Sequence, residues 1–428
     1  MILAIVLIIL GLISGWGYLF AKEKLHFDLL LISIWLIAIG VAQFRLSPLE
    51  RPWTINFWLL LLSSGIFFIL SYRFGNYLWN KYLTTTENKL IINHYLFLII
   101  LGSSTFLTLI ANFYIFKRFG TLPLISSIPD KMRFIINREV FGPIEYAALL
   151  PRIYIPLSFL YLVINQKIKK KTLWLIIINI IIGLIFLLFY ASRLTIVITI
   201  LLCYFGYLAI KIKELSSKKL ITTALVTIII VLVVSITIPI VRQFITYKDY
   251  QYEGEYNPFN YITSISQINL PSALQFLIPL YLIPAFNLQA LMRSLEIYQQ
   301  PSFYGGYSLS VFDSLLKIFN LPQFNIKINW GEIFVPWWNT ATFLFNYLVD
   351  FGWWGIYTAV IIWGLILSLI YVLNKKRPSL LTAFLLSYFS FVVIMTIYTN
   401  YFNREELYLD LILFFLISFI INFNKKLT

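Results

Sequence analysis

Apolar stretches of about twenty residues, separated by short basic turns, recur along almost the whole chain. Segments such as Thr222 to Val241 and Trp353 to Leu373 contain no charged residue, and about twenty apolar residues is the helix length that crosses a hydrocarbon core of about 30 Å. The pattern predicts an all-α polytopic membrane protein with about eleven transmembrane helices, at approximately 2–20, 27–44, 53–72, 93–116, 151–165, 173–190, 194–210, 220–241, 352–373, 379–398 and 407–423. Ile2 to Phe20 has no basic residue ahead of it and is followed by further spans, so it reads as the first helix and not as a signal peptide. Between the eighth and ninth spans the pattern changes. Residues 242–350 carry seven prolines, and their one long apolar run, Leu270 to Phe286, is interrupted by Pro271, Pro279 and Pro284. Such a run suits an interfacial or re-entrant helix better than a full crossing. Three parts follow: an N-terminal bundle over 1–241 with an outer loop at 117–150, a long loop over 242–350, and a C-terminal group of three helices over 351–428.

Composition excludes the soluble alternative. Of the 428 residues, 60% are hydrophobic and 12% charged, against roughly 45–50% and 25% in soluble domains. The net charge of +15 does not form a nucleic-acid patch, because the basic residues punctuate the spans. Lysine-rich turns at Lys22 and Lys24, Arg73 to Lys89, Lys167 to Lys171, Lys211 to Lys219, Lys375 to Arg377 and Lys425 with Lys426 face the cytoplasm by the positive-inside rule. Two cytoplasmic ends require an even number of crossings between them. Thr172 to Ile210 would rise about 58 Å as helix, which makes two crossings and leaves Tyr190-Ala-Ser-Arg193 as a tight outer turn. Eleven crossings put the amino terminus outside and the carboxyl terminus inside, with the 242–350 loop extracytoplasmic.

Sorting the 33 basic residues by this topology gives 18 inside and 15 outside, and the two groups differ in kind. Inside, only Arg73 and Arg377 are arginine; outside, ten are: Arg45, Arg51, Arg118, Arg133, Arg138, Arg152, Arg193, Arg242, Arg293 and Arg404. Anchoring in the cytoplasm needs only positive charge, whereas a guanidinium fork binds phosphate or carboxylate oxygens in pairs. Fourteen of the eighteen acidic residues are also outside, so ion pairing within the loops is the competing reading for any one arginine. Arg193, Arg242 and Arg152 lie at span ends, where a charge either binds an anion such as a lipid-linked phosphate or diphosphate or snorkels to the headgroups.

Among the acids, Asp350 precedes Phe351-Gly352 at the start of the ninth span, a position that suits a helix N-cap more than catalysis. Glu332 stands among the aromatics of Asn329-Trp-Gly-Glu-Ile-Phe-Val-Pro-Trp-Trp, which could desolvate it into a general base or rest on the bilayer interface. Glu139 and Glu145 flank Gly142-Pro143. The two histidines, His26 and His94, are far apart in the topology, and no Asp-x-Asp pair exists, so neither a metal nor a cofactor is expected. The single cysteine, Cys203, permits no intramolecular disulfide.

Four passages, in this order, resemble the Wzy-type O-antigen and capsule polymerases, the oligosaccharide repeat-unit polymerases of bacterial envelopes. They are Phe119-Gly-Thr-Leu-Pro-Leu-Ile followed by Arg133 and Arg138; Tyr190-Ala-Ser-Arg-Leu-Thr195; the long outer loop with Tyr304-Gly-Gly-Tyr; and Asn339-Thr-Ala-Thr to Asp350-Phe-Gly-Trp-Trp-Gly355. The resemblance implies a multi-pass, metal-independent glycosyltransferase of the bacterial inner membrane. It would transfer a growing glycan from undecaprenyl diphosphate to a new lipid-linked repeat unit, with a flippase and a chain-length regulator as pathway partners. Arg193 and Arg242, then Arg133, Arg138, Arg293 and Arg152, would hold the diphosphate; Glu332, Glu139 or Asp350 would supply the base; aromatics of 303–338 would stack on sugars. A flippase for lipid-linked oligosaccharides and an O-antigen ligase are the rival functions.

Overall fold

The computed structural model describes residues 1–20, 24–85, 92–126, 129–139, 142–165, 168–190, 192–249, 260–298, 300–313, 316, 321–324, 326 and 328–422. Among these residues the chain is helical and contains no strand. Each of the eleven apolar stretches expected from the sequence falls on a helix: α1 (Ile2–Phe20), α2 (Phe27–Ala42), α3 (Ile55–Tyr82), α4 (His94–Phe119), α7 (Pro151–Ile164), α8 (Lys170–Phe189), α9 (Arg193–Lys211), α10 (Ser217–Asp249), α15 (Leu344–Lys376), α16 (Leu380–Met395) and α17 (Glu405–Asn422). Between them stand α5 (Pro129–Glu139), α6 (Gly142–Ala148), α11 (Asn260–Ser266), α12 (Ile278–Ile297), α13 (Gly306–Leu309) and α14 (Trp330–Ile333). Nine helical stretches among the described residues are long and apolar enough to cross a membrane. The chain is therefore an all-α, multi-pass membrane protein. One of the nine, Leu274–Ile297, lies in the stretch where the sequence predicts a proline-broken helix. Its α12 is a continuous 20-residue helix. Pro271 precedes it and Pro279 occupies its first turn, where no backbone donor is needed, so Pro284 is the one interior proline.

The chain divides into two compact units. The first contains residues 1–87, 259–377 and 389–409. Without a hydrophobic force between helices in lipid, close approach depends on small residues. A β-carbon on Gly11 would stand 2.9 Å from the Ser33 carbonyl oxygen, and one on Gly40 2.8 Å from that of Ala4, so α1 and α2 touch backbone to backbone. Helices α3 and α15 meet in the same way at Gly364, where a β-carbon would lie 3.0 Å from the Phe68 oxygen and the Tyr72 nitrogen. Gly352, at φ 65° and ψ −152°, interrupts the 33 residues of α15 and divides a short buried segment from the long apolar one. That combination is adopted essentially by glycine alone, and a side chain there costs about 1–3 kcal/mol.

The second unit contains residues 88–258, 378–388 and 410–428. Here α4 is tied to α6 by polar bonds. Thr108 Oγ1 donates to the Ala147 carbonyl at 3.2 Å and Asn112 Nδ2 to that of Ala148 at 3.4 Å. Helix α7 packs on α8 and α9 where Gly183 faces Tyr154 and Gly206 faces Leu160. A turn joins α8 to α9, and the Ser192 hydroxyl caps α9 by accepting from the Thr195 N–H at 3.4 Å.

Candidate functional site

In the first unit the loop joining α2 to α3, residues 43–54, gathers Arg45, Glu50 and Arg51 against α12. Hydrogen bonds fasten it along that helix. The Tyr281 hydroxyl accepts from the Leu46 N–H at 2.8 Å, Gln289 pairs with both the N–H and the carbonyl of Arg51, and Arg293 Nη2 donates to the Leu49 carbonyl at 3.0 Å. Arg293 is half-buried and lies with its guanidinium 4.6 Å above the Phe334 ring. Its Nε is buried and has no hydrogen-bond partner among the described residues. Arg51 lies within electrostatic reach of Arg293, and neither has a carboxylate within 4.0 Å among the described residues. Exposed Arg51 and, in the opposite sense, Glu296 act electrostatically on Arg293, and the unused buried donor of Arg293 makes this a constellation suited to an anion.

Glu50 shares this loop. Its Oε1 accepts from the Ser47 N–H at 3.0 Å and from the Tyr281 hydroxyl at 2.5 Å, while Oε2 is buried with no hydrogen-bond partner among the described residues. Burial pushes the carboxyl above the usual glutamate range; the bonds from Tyr281 and Ser47 and the charge of Arg45 act in the opposite direction and do not cancel it.

The Tyr304-Gly-Gly-Tyr and Asp350-Phe-Gly passages meet in the same unit. Asp350 is fully buried, and both its oxygens accept from backbone N–H groups, Tyr307 at 2.9 Å and Ser308 at 2.8 Å. The capping expected of Asp350 is thus real but serves a different helix. Because α15 begins at Leu344, the turn holding Asp350 has its donors already bonded, and the orphan donors it satisfies are those of α13. Positive φ at Tyr304 and Gly305 folds that loop back so that the Tyr304 N–H reaches the Asp350 carbonyl at 3.0 Å. Glu332 is exposed and accepts from Asn329 Nδ2 at 2.7 Å, so its aromatic neighbours do not desolvate it. They pack on each other: Trp330 stacks on Phe345, and Phe334, Trp337 and Trp338 surround Phe286.

In the second unit Arg152 does not point to headgroups. It is 4% exposed, and its Nη2 lies 2.9 Å from Asp410 Oδ1, an oxygen that also accepts from the Tyr146 hydroxyl at 2.7 Å. The other oxygen accepts from the Tyr388 hydroxyl at 2.7 Å. The charge is thus neutralised inside the unit, which removes Arg152 from the anion-binding candidates. Glu139 is exposed at the end of α5, 4.0 Å from Arg118, as an ordinary surface pair. Glu145 accepts from the Tyr190 hydroxyl at 2.8 Å, which links the α8–α9 turn to α6. Arg193 opens α9, half-buried, with no carboxylate within 4.0 Å among the described residues. Arg133 and Arg138 fall on α5 and Arg242 on α10, but their side chains, like all of Glu253-Gly-Glu255, lie outside the described residues. Among the described residues no group of histidine, cysteine and carboxylate side chains is arranged to hold a metal ion.

The sequence therefore points to Arg293 and Arg193 and misses Glu50, Tyr281 and Asp410. The one signal for Glu50 was its setting between Arg45 and Arg51 in a turn of only twelve residues, from Gln43 to Thr54.

Comparison of the chain with protein-family models, with curated proteins and with solved structures found no match to any of them.

Proposed function

We propose that the chain polymerises polyprenyl-diphosphate-linked oligosaccharide repeat units on the extracytoplasmic face of a bacterial inner membrane, as the resemblance to the Wzy-type polymerases implies. The observation that carries this reading is the Arg51–Arg293 pair. Two guanidinium groups with no carboxylate within 4.0 Å among the described residues, Glu296 acting on Arg293 only from further off, are suited to the diphosphate of a lipid-linked donor, on which charge grows as the glycosidic bond breaks. The positive-inside assignment puts their loop outside, where such donors present their glycans. In this reading all eleven hydrophobic helices cross the membrane and α12 lies along its outer boundary. Tyr281 and Arg293, about 18 Å apart along that helix, both bond to the 46–50 segment, which is natural for a helix lying across the ends of the bundle.

Electrophoresis of surface polysaccharide from a strain lacking the chain tests the reading in the cell. The expected result is loss of the long-chain ladder with single repeat units still exported. Loss of all surface units assigns the chain to export instead, and polymer retained on the lipid carrier assigns it to ligation.

A further inference from the structure

Transfer to a sugar hydroxyl needs a proton acceptor, and none of the three acids expected from the sequence supplies one. Asp350 has both oxygens bonded to backbone, and Glu332 and Glu139 are solvated. Glu50 has what they lack. One carboxylate oxygen is held by donors from two elements, the Ser47 N–H in its own loop and the Tyr281 hydroxyl on α12, while the other is buried with no hydrogen-bond partner among the described residues. Its neighbour Leu49 carries the hydrogen bond that positions Arg293. The groups acting on Glu50 are Arg45 in the loop and Tyr281 on α12; Arg51 follows it in the chain, and Arg293, on which Arg51 and Glu296 act, reaches the carbonyl of the adjacent Leu49.

We propose that Glu50 is the general base of the transfer step, its free Oε2 taking the proton from the acceptor hydroxyl beside the arginine-held diphosphate. This assignment rests on the polymerase reading. The acceptor oxygen forms the new bond to the anomeric carbon of the donor glycan. The bond from that carbon to the diphosphate oxygen breaks, and its electron pair leaves on the diphosphate opposite Arg293 and Arg51. The acceptor proton passes to Glu50 and from there to water as the lipid diphosphate departs. Tyr281 is a positioning residue: its bond fixes the carboxylate and favours the charged form that can accept a proton.

The test uses the full chain reconstituted in lipid vesicles, with the lipid-linked repeat unit extracted from the deletion strain as substrate. Glu50→Gln is expected to lower kcat by about 10²–10⁴-fold, the usual contribution of a general base, with KM little changed and the thermal midpoint retained. In the wild type the acidic limb of the rate–pH profile is expected above the ordinary glutamate range, because the carboxyl must be deprotonated to act. Tyr281→Phe removes a donor that favours the carboxylate and is expected to move that limb to higher pH. A wild type that polymerises while Glu50→Gln keeps its rate and pH profile overturns the Glu50 assignment and leaves the polymerase reading standing. A wild type with no turnover overturns both. Should Glu50→Gln fail to fold, an acidic limb unmoved in Tyr281→Phe overturns the assignment.

Discussion

Arg293→Lys is expected to reduce the initial rate of polymerisation in vesicles by about 10²-fold while leaving the thermal midpoint within a few degrees of wild type. The lower end of the loss for a single preorganised donor to developing negative charge sets that magnitude. Lysine keeps the positive charge, so electrostatic attraction of the donor persists. It lacks the planar fork, and it cannot hold the Leu49 carbonyl and a diphosphate oxygen together in the arginine's geometry. Its ammonium also lacks the broad face that lies over Phe334. The half-buried setting and the single backbone bond make the side chain a minor contributor to packing, hence the small change in stability. Parallel measurement of rate and thermal unfolding separates the two roles. A variant with full rate contradicts anion binding by Arg293, and one that unfolds early assigns it to structure.

The opposite behaviour is expected of Arg152. Arg152→Leu leaves Asp410 buried and facing only the Tyr146 and Tyr388 hydroxyls, and removing one partner of a buried pair costs about 3–5 kcal/mol. Loss of the folded protein from the membrane, or a large fall in its thermal midpoint in detergent, is the expected outcome. Combining Arg152→Leu with Asp410→Leu is expected to recover a good part of that loss, because no charge then remains without its partner. Unchanged unfolding in the single variant would mean that Asp410 does not depend on the ion pair.

These contrasts follow from what could and could not be read along the chain. The helices were legible because a lipid environment requires long uncharged segments, and each such segment formed one. Partners distant in sequence were not. Arg152 reads as a residue at a span end, and nothing along the chain links it to Asp410, 258 residues away; only folding brings them together. Glu50 stands between two arginines in the sequence, and what distinguishes it is the hydroxyl of Tyr281, 231 residues further on. The capping chemistry of Asp350 was correctly sensed from its residue type, but the helix it serves lies in the Tyr304-Gly-Gly-Tyr loop. Proline spacing misled in one place. Pro279 at the first turn of α12 does not interrupt the helix it seemed to break.

The most direct test of the central claim is reconstitution of the purified chain alone in vesicles with the polyprenyl-diphosphate-linked repeat unit, without added metal, scoring glycan length and released polyprenyl diphosphate together. A ladder of lipid-linked products is expected, with one diphosphate lipid released for each linkage formed. Transbilayer movement of the substrate with no change in glycan length would contradict it.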